Sequence, residues 1–231
     1  MCGRYSLAVD PRDVRAAFPL GGEIDIHPRY NVAPGDPVVA VTTDRTGTPR
    51  GELLRWGLVP SWAQAPGSAG KMINARAETA PDRPAFRQPF RQMRCLIPAT
   101  GFYEWARQPS GGKRAFHITA RGREVCAFAG LWTRWRGEDT EIRSCAILTS
   151  AANQAVAPLH DRMPVILPRA AEAVWLDPTT PLEELISLLR PFPAEDTILR
   201  EVGPAVNDAR YDGPECLAPP PGGPPAQPAL F

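Results

Sequence analysis

Short runs of Val, Ile, Leu and aromatic residues alternate along the chain with stretches rich in Gly, Pro and charge. Runs of this length and composition read as strands, at 38–43, 52–56, 94–98, 114–119, 124–132, 141–149 and 164–167. Helical spacing is rarer. Residues 10–18 begin with Asp10, a good N-cap, and Pro11, which suits the first helical position. Residues 169–176 form a second helical pattern; 181–190 form a third, with Leu182, Leu185, Ile186 and Leu189 on one face. There is no internal repeat, and no interior linker is rich enough in Gly, Pro or Ser to divide the chain. The pattern predicts one α+β domain with a largely antiparallel sheet. From Gly213 the chain turns proline-rich, through Pro219-Pro220-Pro221 to Pro224-Pro225, and cannot supply a packed core. The expected organisation is therefore a domain over 2–212 and a disordered, dispensable tail over 213–231.

Composition adds limits. With 231 residues, 43% hydrophobic and 22% charged, the chain can bury a full core without staples. Its 5 cysteines are an odd number without CxxC spacing, and polar residues follow Met1 directly where a secretory leader would be apolar. Free thiols in a reducing cytoplasm are expected. Cys95, Cys126 and Cys145 lie in apolar runs and read as core residues. The net charge of +1 does not announce a nucleic-acid partner, so an anionic ligand must be held by a local groove. Apart from Lys71 and Lys113, every basic residue is arginine. The planar guanidinium suits phosphate and base stacking, although compositional bias accounts for the same excess. No His, Cys, Asp or Glu cluster has metal-ligand spacing, and no cofactor is implied.

Candidate chemistry gathers in segments that stand apart from the strand background. Met1-Cys2-Gly3-Arg4 opens the chain, and cysteine is small enough for the initiator methionine to be removed. Cys2 then carries a free α-amine and a thiol on one residue, a pair able to condense with an aldehyde and close a thiazolidine ring. Ordinary pKa values of about 8 and about 8.5 leave a minor fraction of each group nucleophilic at neutral pH. Asn74-Ala75-Arg76-Ala77-Glu78-Thr79 sets an amide, a guanidinium and a carboxylate where an extended run ends, although Glu78 and Thr79 also suit a helix start. In Gly101-Phe102-Tyr103-Glu104-Trp105 a carboxylate lies between aromatics; it is either a half-buried proton shuttle or a strand residue facing water. His160, in Leu159-His160-Asp161-Arg162-Met163-Pro164, sits beside a turn and two charges and can move protons near neutral pH.

These segments, with Arg29-Tyr30-Asn31-Val32-Ala33-Pro34 and Trp56-Gly57-Leu58-Val59-Pro60-Ser61-Trp62, resemble in order the motifs of the SRAP family over about residues 2–210. These are the SOS-response-associated peptidases, processors of abasic sites. The resemblance implies a barrel-like sheet flanked by short helices, binding of single-stranded DNA, and capture of the abasic aldehyde by Cys2 as a thiazolidine crosslink. It further implies that Asn74 orients the sugar, that Glu104 is the acid and base of imine formation, and that His160 is a second proton carrier. Arg4, Arg76 and Arg162 fall at phosphate-contact positions, Asn31 and Trp62 at base or backbone contacts, and Trp56 in the core. Some members have a second aromatic after the position of Trp62, where this chain has Ala63. A thiol autopeptidase activity that removes the leader is also described in the family; here the leader is Met1 alone. The expected partner is single-stranded DNA containing abasic sites, met by a monomer in the cytoplasm at the nucleoid. Two other readings stay open. One is an N-terminal-nucleophile glutamine amidotransferase, against which Arg4 and the lack of a synthase domain speak. The other is a non-covalent single-strand binder in which Cys2 is incidental.

Overall fold

The computed structural model describes residues 2–21, 24–44, 46–65, 72–108 and 111–222. Its strands are β1 (Tyr5–Leu7), β2 (Arg29–Val32), β3 (Pro37–Thr43), β4 (Pro49–Trp56), β5 (Asn74–Arg76), β6 (Arg94–Ala99), β7 (Gly101–Arg107), β8 (Lys113–Ala120), β9 (Cys126–Arg136), β10 (Glu141–Ala151), β11 (Arg162–Pro164), β12 (Ile166–Leu167) and β13 (Thr197–Val202). Helices α1 (Pro11–Ala17), α2 (Pro84–Gln92), α3 (Arg169–Leu176) and α4 (Leu182–Ser187) join them. The loop over 64–70, expected from the sequence, falls mostly outside the described residues, as do Met1, Lys71 and residues 223–231.

The strands form two sheets. One has the order β13-β8-β7-β1-β2. In the other, β10, β4, β3, β6 and β9 pair in turn and β9 pairs back onto β10, so these five close into a barrel extended by β5, β11 and β12. Most pairings are antiparallel; β10 runs parallel to both β4 and β5. Both faces of the barrel sheet are buried, which is why β6, β9 and β10 read as near-continuous apolar runs. On one face Leu96, Leu131 and Leu148 pack with Val14, Phe18, Phe90 and Trp175 of the helices. On the other, Trp56, Ile97, Phe128 and Cys145 pack with Tyr5 and Phe102 of the second sheet. Trp56 is fully buried and donates from Nε1 to the Ile73 carbonyl at 2.8 Å, as expected of a core residue that keeps its indole N–H satisfied.

Local physics explains where the predicted boundaries hold and where they fail. The Asp10 carboxylate accepts from Arg12 N at 2.8 Å and caps α1. Helix α4 ends at Ser187, short of the predicted 190, where Arg190 already precedes a proline. Helix α2 escapes prediction because Arg83 offers no side-chain cap and Pro89 lies inside it. Arg94 supports it from outside. This buried guanidinium donates to Phe90 O at 3.0 Å and Arg91 O at 2.6 Å in the last turn of α2, and to Trp175 O and Asp177 O, both at 2.6 Å, at the end of α3. One cation thereby satisfies the orphan carbonyls of two helix C-termini.

The expected boundary at 212 is corrected by the structure. Residues 213–222 are part of the domain: Pro214–Leu217 form a 3₁₀ turn, Cys216 is fully buried, and Gly203 N donates to Ala218 O at 2.8 Å. Composition alone missed this because the docking rests on a few polar anchors. The Asp212 carboxylate pairs with Arg29 and accepts from Tyr30 N at 2.6 Å and Asn31 N at 2.7 Å. Removing it leaves partly buried donors without partners. Asp212→Ala is therefore expected to lower stability by about 2–4 kcal/mol. Truncation after Tyr211 should cost at least as much, read from the urea midpoint; a truncated chain with an unchanged midpoint would show that the segment contributes nothing.

Candidate active site

Strand register assembles the site from distant parts of the chain. Tyr5 of β1 pairs with Phe102 of β7, and Tyr103 N donates to Arg4 O at 2.9 Å. Continuing that antiparallel register by one residue brings Gly3 opposite Glu104, so Cys2 arrives beside this carboxylate. From the other sheet, β10 carries β5 on one side, with Ile147 opposite Asn74 and Thr149 opposite Arg76. It carries β11 on its other side, with Ala151 opposite Arg162. The Asn74 Nδ2 donates to the Cys2 carbonyl at 2.8 Å and so ties the two sheets together. That bond fixes the orientation of the amide, and its Oδ1 is buried with no hydrogen-bond partner among the described residues.

The N-terminal segment is held rigidly. Ser6 is buried, and its Oγ lies 2.8 Å from both Thr100 Oγ1 and His117 Nε2. Burial lowers His117 to about 3, so the ring is neutral and structural. Gly101 is required here, because a Cβ would sit 2.5 Å from His117 Nε2 and 2.6 Å from Ile118 O.

Electrostatics separate the reactive groups. Cys2 is fully buried; burial first, then the Glu104 charge, pushes its thiol well above the ordinary range, so it stays protonated until a base takes the proton. Glu104 is 5% exposed, and burial, reinforced by the charge of Asp161, raises it to about 7. A carboxyl poised there can donate and accept a proton at neutral pH, and the solvated-strand alternative does not fit its burial. His160 is lowered, chiefly by burial, and its Nδ1 lies 2.9 Å from both Arg162 N and Asp161 Oδ1.

The predicted nucleic-acid contacts divide into two groups. Trp62 is 66% exposed, and Arg76 is exposed and makes no ion pair among the described residues. Arg4 donates from Nη1 to Asn31 Oδ1 at 2.8 Å and Val206 O at 3.0 Å and lies over the Trp105 ring. Asn31 is 1% exposed, and its Nδ2 donates to the carbonyls of Asp208 and Tyr211 at 3.0 and 2.7 Å. A direct DNA contact by Asn31 therefore does not fit this structure; it orients Arg4 and anchors the C-terminal segment. Arg162 makes a two-pronged bond to Glu78, 2.8 Å on each prong, and also donates to the Thr149 carbonyl. The sequence shows Glu78 and Arg162 but not that they pair, since 84 residues separate them. Nor does it show Asp161 as an electrostatic neighbour of Glu104.

Residues 1–209 match the family model of the SOS response associated peptidases, SRAP. The chain belongs to the SRAP family. It is 39% identical over 222 residues to the abasic site processing protein YoqW of Bacillus subtilis, covering 94% of this chain and 99% of the relative. It is 29% identical over 266 residues to the abasic site processing protein HMCES of Xenopus tropicalis, covering 94% and 78%. A crystal structure of a Bacteroides thetaiotaomicron protein superposes with a TM-score of 0.86 at 24% identity, over 94% of this chain and 99% of that one; this likeness concerns the fold. A Bordetella bronchiseptica protein gives 0.75 at 27% identity, over 87% and 99%. No helix among the described residues is long and apolar enough to cross a membrane.

In this SRAP domain the state of Glu104 couples protonation to folding. Its carboxyl is raised from 4.5 to about 7, so between these values the folded protein binds a proton that the unfolded chain has released. Stability then falls as pH rises through that window, by up to about 3 kcal/mol. Glu104→Gln should flatten this slope and make the variant the more stable protein above pH 7. Equal pH dependence of the urea midpoints would refute the raised pKa.

Proposed function

We propose that this SRAP protein binds single-stranded DNA and captures abasic sites covalently through Cys2, once removal of Met1 frees the α-amine. The observation that carries this reading is the junction of Asn74, Cys2 and Glu104: the Cys2 carbonyl is held at 2.8 Å and its thiol lies within the field of a carboxyl poised near neutrality. The abasic site processing activity named for the relatives supports the same assignment.

The chemistry follows from these groups. As the abasic deoxyribose opens, neutral His160 takes the C1 hydroxyl proton and delivers it to the departing ring oxygen. The Cys2 amine adds to the aldehyde to give a carbinolamine. Neutral Glu104 protonates the hydroxyl, which leaves as water and forms the imine. The imine keeps its nitrogen proton as an iminium; the carboxylate so produced takes the thiol proton and sulfur adds to the iminium carbon, which leaves a neutral ring N–H and a neutral Glu104. One aldehyde and one cysteine thus give one thiazolidine and one water. The open Oδ1 of Asn74 accepts from a sugar hydroxyl. Trp62 and Arg76 face the strand by stacking and phosphate contact, with Arg4 and Arg162 held behind them. Peptidase chemistry at Met1 would use the same thiol.

Incubation with an abasic-site oligonucleotide, denaturing electrophoresis and intact-mass measurement test this. Wild type should give a heat-stable adduct of protein plus DNA minus water. Glu104→Gln should bind DNA normally and crosslink more slowly, by roughly 10²–10⁴-fold. Cys2→Ala keeps the amine and should yield an imine trappable by borohydride but little stable adduct. A chain that retains a residue before Cys2 should yield none; a heat-stable adduct from that blocked chain would exclude the ring mechanism.

A further inference from the structure

Beyond β5, the backbone winds without a break into α2. Ala80 N donates to Arg76 O, Arg83 N to Thr79 O and Arg87 N to Arg83 O, at 2.8, 3.0 and 2.7 Å. Arg83, Arg87 and Arg91 recur every four residues and so line one side of this helix. All three are exposed, and none forms an ion pair or a side-chain hydrogen bond among the described residues. Other arginines are engaged: Arg29, Arg94, Arg123 and Arg162 are tied to carboxylates or carbonyls. Helix α2 itself has no acidic residue, Glu78 upstream is occupied by Arg162, and Asp82 is the carboxylate nearest in sequence. Gln88 and Gln92 line a shallow groove with Arg87 and Arg91. Gln88 also lines, with Trp62 and Pro84, a cleft of about 90 Å³.

We infer that the α2 arginines form a second phosphate-binding track, which holds the DNA that flanks the lesion. The proposal rests on the function proposed above and extends its DNA path. The track starts at Arg76 beside the site, meets the exposed ring of Trp62 through Gln88, and runs from Arg83 to Arg91 over about 12 Å. With a net charge of +1, a row of unneutralised guanidinium groups is a local feature whose complement is a polyanion. Its continuity with Arg76 and Trp62 selects the same DNA strand or its duplex continuation. Single-stranded and duplex flanks present the same phosphate chemistry, and the test separates them.

The test compares wild type with Arg87→Gln/Arg91→Gln and with Arg87→Lys/Arg91→Lys. The substrates are a short abasic oligonucleotide that ends beside the lesion, a long single-stranded one, and the long one with a complement annealed to one flank. Binding is read by fluorescence anisotropy across a salt series and covalent capture by denaturing electrophoresis. The glutamine pair should bind the long substrates about tenfold more weakly at low salt. It should also reduce the salt slope by roughly 1.4, or about 0.7 for each phosphate that is no longer neutralised. Capture of the short oligonucleotide should be unchanged, and the lysine pair should recover most of the slope. A loss confined to the annealed substrate assigns the track to duplex; an equal loss on both assigns it to single strand. An unchanged slope on both long substrates, whether or not the helix binds an acidic polypeptide, overturns the inference. Absence of capture by wild type would overturn the function proposed above, while the slopes on undamaged DNA would still decide the track.

Discussion

The hydrogen bond from the Asn74 amide to the Cys2 carbonyl links two sheets whose packed faces are largely apolar. A residue so near the chain end would ordinarily fray, because its ordering entropy is offset by few contacts. Here β1 lies between β2 and β7, Ser6 is bonded to Thr100 and His117, and Asn74 closes the last gap from the barrel side. Cys2 is held as firmly as a core residue. Its environment also opposes spontaneous ionisation, so in the proposed mechanism reactivity waits on Glu104 and on the incoming electrophile.

The arginines show how one residue type serves opposite ends in this fold. Arg94 sits inside, where four carbonyls take the place of water and two helices acquire a common cap. Arg29 and Arg162 are interfacial, each joining segments far apart in sequence through a carboxylate. Arg76 and the α2 row face outward and make no ion pair among the described residues. Composition counts these roles alike. Only the partner within reach distinguishes a structural cation from one left for a ligand.

Much of the fold was legible because strands buried on both faces must be apolar throughout, and β3, β6, β9, β10 and α3 lie close to where that pattern puts them. The short strands β1, β2, β5 and β13 were not, since each owes its conformation to neighbours rather than to its own run of residues. Helix α2 was hidden for a related reason: its cap comes from Arg94, and its sequence includes a proline. At the site, Cys2, Asn74 and Glu104 were legible as residue types in recognisable segments, and register alone showed how they meet. The burial of Asn31 and the pairing of Arg162 with Glu78 were illegible, because both depend on contacts across more than 80 residues.

The contacts of Arg4 and Asn31 also order events during synthesis. The partners that fix these two residues, from Val206 to Asp212, are among the last parts of the domain to be translated. Until they leave the ribosome, Arg4 and Asn31 lack these partners, although β2, β7 and Asn74, which flank the first strand, are already synthesised. The C-terminal segment thus completes a strand that earlier elements position. A nascent or shortened chain therefore differs from the finished one in how Arg4 and Asn31 are held, although the sequence there is the same.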